Sequence, residues 1–259
     1  MRLADRVAIV TGGGSGIGRA SALYLAQQGA KLVVPDINLA SAQETVELIK
    51  KDGGEAMAVQ MDVTKKAEVQ AMAAEVKKAC GRIDILLNNA GIDIKGLVSE
   101  LPEETWDKIM SINLKGVFLC TQAVLPTMME QKYGRIITIA SMAGKTGEAY
   151  TSPYCASKFG VIGFNQCLAL EVGKYQITAN CVCPGPVETE LIWNSTAMAA
   201  KLKGMSPQEF FKSFFLDPTP LGRIAKPLDV AKAVAFLASD EAEFITGSTL
   251  NVSGGREMH

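Results

Sequence analysis

Seven short runs rich in β-branched residues alternate along this chain with helix-length segments, and that alternation leaves few folds open. The runs are Val7 to Thr11, Lys31 to Pro35, Ala56 to Gln60, Ile83 to Leu87, Arg135 to Ala140, Ile177 to Val182 and Ser248 to Val252. Most are continuously apolar, as strands covered on both faces must be. Strand-helix order with such strands predicts an α/β fold: one doubly wound parallel sheet of about seven strands, with the crossover helices on both faces. With 259 residues, 48% of them apolar and 20% charged, the chain can bury one large core and reads as a single domain.

Charge and residue usage exclude several functions. A formal net charge of −1 with no Lys/Arg run argues against nucleic acid or an anionic membrane surface as partner. The first strand begins at Val7, leaving no room for a leader, and no apolar stretch reaches the ~20 residues of a spanning helix, so a cytoplasmic protein is expected. Cys80, Cys120, Cys155, Cys167, Cys181 and Cys183 form no C-x-x-C pair and read as reduced core thiols. The only histidine, His259, is the last residue, which excludes a Ser-His-Asp triad and argues against a zinc site; no metal is expected.

The first strand runs into Thr11-Gly12-Gly13-Gly14-Ser15-Gly16-Ile17-Gly18, and a helical pattern follows from Arg19. Glycines permit a tight turn, let the backbone approach a pyrophosphate and let helix pack on strand, while the helix start offers free N–H groups to an anion. The spacing is G-x-x-x-G-x-G, with Gly12, Ser15, Gly16, Ile17 and Gly18 as the candidate contacts. Asp36 ends the second strand, where an acid accepts hydrogen bonds from adenosine ribose hydroxyls and repels a 2′-phosphate. No Lys or Arg stands at Ser15, Pro35 or Ile37 to offset that repulsion, so NAD is expected over NADP. Asp62 and Val63 after the third strand read as adenine contacts, and Asn88-Asn89-Ala90-Gly91 after the fourth as the adenosine lining, Asn89 foremost.

Ser141 follows the fifth strand, and Tyr154 and Lys158 stand four apart on the next helical segment. Residues at that spacing share a helix face. An ammonium beside a phenol favours the phenolate and is expected to bring the Tyr154 pKa down toward the working pH, where a general acid-base is most effective. Alone, Y-x-x-x-K is a common exposed pair; in order behind the glycine loop, Asp36 and Ser141 it reads as the reacting group.

These elements, together with Asn113 in Ser-Ile-Asn-Leu-Lys-Gly and Pro184-Gly185-Pro186-Val187-Glu188-Thr189, resemble the short-chain dehydrogenase/reductase family over essentially the full length. The resemblance implies a catalytic tetrad of Asn113, Ser141, Tyr154 and Lys158, in which the asparagine helps hold a water that relays protons and the lysine also grips the nicotinamide ribose. It further implies that Val187 and Thr189 contact the nicotinamide carboxamide. In appearance the chain is nearest to members that oxidise sugar alcohols and small diols.

Two segments add expectations about assembly and access. From Ile109 to Met129 the only charge is Lys115, and from Tyr154 to Val172 the only charges are Lys158 and Glu171. Helices apolar all round need cover on two sides, so a homo-oligomer, dimer or tetramer, is expected. Pro184 to Pro227 reads as an irregular apolar segment, and residues 186–226 as a substrate lid on a single dinucleotide-binding catalytic domain spanning 1–259. Lys145, Glu148, Trp193 and Asn194 are expected around the substrate. The composite expectation is NAD-dependent hydride transfer to or from a small-molecule secondary alcohol or ketone, a polyol or diol. A 3-oxoacyl thioester reductase shares every motif, and a catalytically silent dinucleotide sensor is the reading outside enzymology.

Overall fold

A computed structural model describes residues Met1–His259. Seven strands form one all-parallel sheet in the order β3-β2-β1-β4-β5-β6-β7: β1 (Val7–Val10), β2 (Lys31–Asp36), β3 (Ala56–Gln60), β4 (Ile85–Asn88), β5 (Gly134–Ile139), β6 (Ile177–Pro184) and β7 (Thr249–Val252). Successive side chains of a strand point to opposite faces, and here both faces are apolar. Ala8 and Val10 pack into one layer with Leu32, Val34, Ile85 and Leu87. Val7 and Ile9 pack into the other with Val33, Leu86 and Ile136.

The first layer is closed by α1 (Gly16–Gln27), α2 (Leu39–Lys51) and α9 (Pro227–Ala238), through Leu25, Val46, Ile49 and Val234. The second is closed by α3 (Lys66–Cys80), α5 (Gly116–Gln131) and α6 (Ser152–Val172), through Met72, Val124, Met128 and Leu168. The chain builds outward from β1 to β3, then returns to β4 and builds the other way. That reversal opens a crevice at the carboxyl ends of β1 and β4, where ligands of open α/β sheets bind.

A π-helical turn, Ser111–Lys115, joins α4 (Glu103–Met110) to α5, so the helix expected from Ile109 begins six residues earlier. The joined helix, Glu103–Gln131, is long and apolar enough by length and composition to cross a membrane. Here its apolar stripe, Leu119, Cys120, Val124 and Met128, is spent on the sheet. Its outer side and that of α6 leave Phe118, Phe159 and Leu170 exposed, Leu170 at 87%.

The segment expected to be irregular is largely helical. α7 (Glu190–Lys203) and α8 (Pro207–Phe211) are followed by a π turn at Lys212–Leu216. Ser206 accepts a hydrogen bond from the Glu209 amide while Glu209 accepts from Ser206, a reciprocal cap that starts α8. Phe210 stacks on Phe214 at 4.5 Å and Trp193 on Phe211 at 4.7 Å, so the aromatic side chains hold this segment together.

Candidate active site

One cavity of about 420 Å³ runs along the carboxyl ends of the strands and under α7, within the size range of small-molecule sites. Gly12, Ser15, Gly16, Ile17, Asp36, Asp62, Val63, Asn89, Ser141, Tyr154, Lys158, Val187 and Thr189 all line it. Two residues expected at the site stand behind it. Gly18 packs the first turn of α1 onto the loop, its Cα so close that a Cβ would fall 2.1 Å from the Gly12 carbonyl oxygen. Asn113 is fully buried: its amide donates to the Ile92 carbonyl at 2.9 Å and to Ser157 at 3.2 Å, and accepts from the Ile92 amide at 2.9 Å.

The glycine loop is fixed by its neighbours. The Asp36 carboxylate accepts from the Gly14 amide at 2.9 Å and from the Asn38 amide at 2.9 Å, so part of its capacity goes to the turn itself. The Asn89 amide donates to the carbonyls of Thr11 at 3.0 Å and Gly12 at 3.1 Å. Asn89 therefore acts first as a strut between β1 and β4. Asp62 accepts from Thr64 twice, at 2.8 and 2.7 Å, which sets its side chain at the cavity wall. Gly16 enters α1 with φ of +52°, a left-handed geometry that favours glycine. The Ser15 side chain caps no amide and the first turn of α1 holds no acid, leaving the positive end of the helix open to an anion. Open helix start, glycine turn and strand-end carboxylate fit a dinucleotide.

At the other end Ser141 accepts from the Ala143 amide at 3.1 Å, an arrangement that starts a short turn after β5. Tyr154 projects from the first turn of α6. Burial pushes its phenol pKa up, and the charges of Asp93 and Glu148 push the same way, while hydrogen bonding to Ser141 opposes them. The expected downward shift by Lys158 is absent in this arrangement, because the Lys158 ammonium donates to the Ile139 carbonyl at 2.7 Å and lies 5.5 Å from the centre of the Tyr154 ring. Burial instead lowers Lys158 itself, to about 8.

Of the side chains expected around the substrate, only Glu148 lines the cavity. Lys145 is turned to the chain's end, donating to Asn251 at 2.8 Å and to the His259 carbonyl. Trp193 is occupied by Phe211, and Asn194 lies on the exposed face of α7. Of Phe210, Phe211, Phe214 and Phe215 in the 184–227 segment, Phe215 alone reaches the cavity. Sequence reasoning missed Asp93, Lys95 and Ser195. Asp93 and Lys95 pair at 3.0 Å with side chains only 7% and 9% exposed. The Ser195 hydroxyl donates to Asp93 at 3.0 Å and the Thr151 hydroxyl at 3.2 Å. Two charges a few residues beyond Asn88-Asn89-Ala90-Gly91 are the only signal, and charge in a loop ordinarily reads as solvated surface.

The family model described as short chain dehydrogenase matches residues 6–200. The chain is 40% identical over 258 residues to the (2S)-[(R)-hydroxy(phenyl)methyl]succinyl-CoA dehydrogenase subunit BbsD of Thauera aromatica, covering 100% of this chain and 99% of that one. It is also 40% identical to the 3-oxoacyl-[acyl-carrier-protein] reductase FabG of Staphylococcus epidermidis, covering 98% of this chain and 100% of the relative. Among solved structures, levodione reductase superimposes with a TM-score of 0.94 at 34% identity over 98% of both chains. The chain belongs to the short-chain dehydrogenase family. It is an oxidoreductase acting on CH–OH groups, of a family that uses nicotinamide dinucleotides.

Proposed function

We propose that this protein is an NAD(H)-dependent oxidoreductase that transfers a hydride between the nicotinamide and a secondary alcohol or ketone, with a polyol, sugar alcohol or small diol as substrate. The observation that carries the reading is the meeting of Ser141, Tyr154 and Lys158 in one cavity with the glycine loop and Asp36. Gly12, Ser15, Gly16 and Ile17 would hold the pyrophosphate, and Asp36 the adenosine ribose. Asp62, Val63 and Asn89 would line the adenine side, and Val187 and Thr189 the nicotinamide side. When bound, the nicotinamide supplies or accepts the hydride.

The chain's own residues move the proton. Ser141 spends a lone pair on the Ala143 amide and hydrogen-bonds Tyr154, and on substrate entry its hydroxyl would be shared with the substrate oxygen. Tyr154 takes the carbinol proton in oxidation and returns it in reduction. Lys158, held by the Ile139 carbonyl 5.5 Å from the centre of the Tyr154 ring, would grip the nicotinamide ribose. The Asn113 amide hydrogens are both committed, so its part is to brace the Ile92 loop against α6, and any relay water it holds must sit on the one oxygen lone pair that the Ile92 amide leaves. Residues 186–226, with α7 and α8, act as the lid that excludes water and so strengthens these interactions.

Polar groups on the substrate side, Asp93, Lys95, Glu148 and Ser195, support a hydroxyl-rich substrate, since each hydroxyl entering the site must exchange water for a protein partner. The similarity to 3-oxoacyl-[acyl-carrier-protein] reductases supports the second reading, a 3-oxoacyl thioester reductase. A panel of polyols, diols, ketoses and a 3-oxoacyl thioester followed by NADH absorbance separates the two. If the thioester exceeds every polyol and diol by about tenfold in kcat/KM, a difference of about 1.4 kcal/mol, the polyol reading fails. Assembly as a homo-oligomer is supported by the exposed Phe118, Phe159 and Leu170, and a reducing cytoplasmic setting by six cysteines that are all unpaired.

A further inference from the structure

Lys95 is a largely covered cation inside the cavity, its side chain 9% exposed, for which hydride transfer itself has no need. Lysine is almost never buried unless paired, because the ammonium loses its hydration. Its pair, Asp93, is richly supplied: it accepts from Ser195 at 3.0 Å and Thr151 at 3.2 Å in addition to facing Lys95 at 3.0 Å. Supply on the other side of the pair is poor. The ammonium carries three N–H groups, and Asp93 is the only protein acceptor near it. The deficit is therefore one of acceptors, in a cavity that Lys95 shares with Ser141 and Tyr154. A neutral hydroxyl could fill it, but a carboxylate does so through a charge-assisted bond about twice as strong. Glu148 and Lys158 line the same cavity, but Glu148 repels an anion and Lys158 spends its ammonium on the Ile139 carbonyl, which leaves Lys95 as the cation facing the substrate side.

We infer that the site takes a substrate that carries a carboxylate one or two carbons from its reacting carbon, a hydroxy acid or its oxo form, with Lys95 as the residue that selects it. This rests on the oxidoreductase reading above and shifts its preferred substrate from a neutral polyol or diol to the corresponding acid. Asp93, Thr151 and Ser195 are the positioning residues that hold Lys95 in place.

The test compares matched pairs with NAD⁺: 3-hydroxybutanoate against butane-1,3-diol, and D-gluconate against D-glucitol. The wild-type enzyme should favour the acid of a pair by about tenfold or more in kcat/KM, and Lys95→Met should bring the ratio close to parity. Because Lys95→Met leaves the Asp93 charge uncompensated, the double variant Asp93→Asn/Lys95→Met, with both charges removed, should show the same collapse. Calorimetric binding of 3-hydroxybutanoate and 3-hydroxybutanamide to the protein with NAD⁺ gives a readout independent of turnover, and the acid should bind more tightly only where Lys95 is present. Wild-type parity in both turnover and binding, or a preference that survives both variants, overturns the inference while leaving turnover of neutral alcohols intact. Acid binding through Lys95 without turnover of any carbinol would instead overturn the oxidoreductase reading.

Discussion

The two ends of the cavity are built by different means. At the dinucleotide end much of the wall is main chain, pinned by side chains that reach across from neighbouring strands: a glycine turn between β1 and α1, Asp36 on the Gly14 amide, and Asn89 strutting Thr11 and Gly12. At the substrate end the wall is side chain, and its members come from segments far apart: Asp93 and Lys95 after β4, Thr151 and Tyr154 at the start of α6, Ser195 in α7. A backbone wall presents the same donors whatever the side chains are and tolerates no added volume. A side-chain wall can be altered one group at a time.

The largest effect should come where the chemistry sits. Tyr154→Phe removes the proton carrier, and kcat should fall on the order of 10³-fold. NADH binding, followed by fluorescence, should stay within about threefold of wild type because the glycine loop is untouched. Activity within tenfold of wild type would place the proton on another group.

Gly18→Val should be next, and should damage the dinucleotide end alone. The new Cβ would sit 2.1 Å from the Gly12 oxygen, so the loop has to move. Overpacking of this kind costs about 1 to 3 kcal/mol, which should appear as a lowered Tm and as NADH binding weakened by about tenfold or more. Unchanged cofactor affinity would show that the loop is as adaptable as the substrate wall.

Asp36 should reject the 2′-phosphate of NADP(H), giving about a tenfold or greater preference for NAD(H) in kcat/KM, or about 1.4 kcal/mol. Asp36→Ser should narrow that ratio. Equal use of both cofactors by the wild-type enzyme would refute the assignment.

The pH dependence follows from burial at the chemical end. With the phenol pushed up and Lys158 pulled down to about 8, the pair releases its first proton near pH 8. Alcohol oxidation needs a base, so its kcat should rise through that range, whereas carbonyl reduction needs the proton and should fall. A flat profile between pH 7 and 9 would remove the pair from the chemical step.

The smallest effect should be Ser195→Ala. One of the donors to Asp93 is lost, worth about 0.5 to 1.5 kcal/mol, so kcat/KM should drop about two- to tenfold with cofactor affinity unaltered. A change in NADH affinity would show that the two ends are mechanically coupled.

Local chemistry made much of this legible from residues alone. Each of the seven strands lies within two residues of its expected bounds, because apolar β-branched runs between turn-formers have few other uses. The glycine turn, Asp36, Ser141 and the Tyr154–Lys158 spacing are likewise local. Their meeting in one cavity follows from the parallel sheet, which puts every strand's carboxyl end on one edge.

What needed the tertiary structure was the direction each side chain takes. Pro- and Phe-rich composition in 184–227 argued for irregular chain, yet packing of Phe210 on Phe214 and Trp193 on Phe211 holds two helices there. Lys145, expected among the polar groups around the substrate, has its ammonium claimed by Asn251 and the chain's end. Spacing cannot say whether a lysine in a loop is wet or covered; the Lys95 side chain is largely covered and paired with Asp93, which Thr151 and Ser195 hold in place. The seven strands, the glycine turn and the Tyr154–Lys158 spacing are legible in the sequence, each encoded in neighbouring residues. The tertiary structure decided the substrate wall and the height of the Tyr154 and Lys158 pKa values, since burial and charge are sums over segments that meet only in the folded chain.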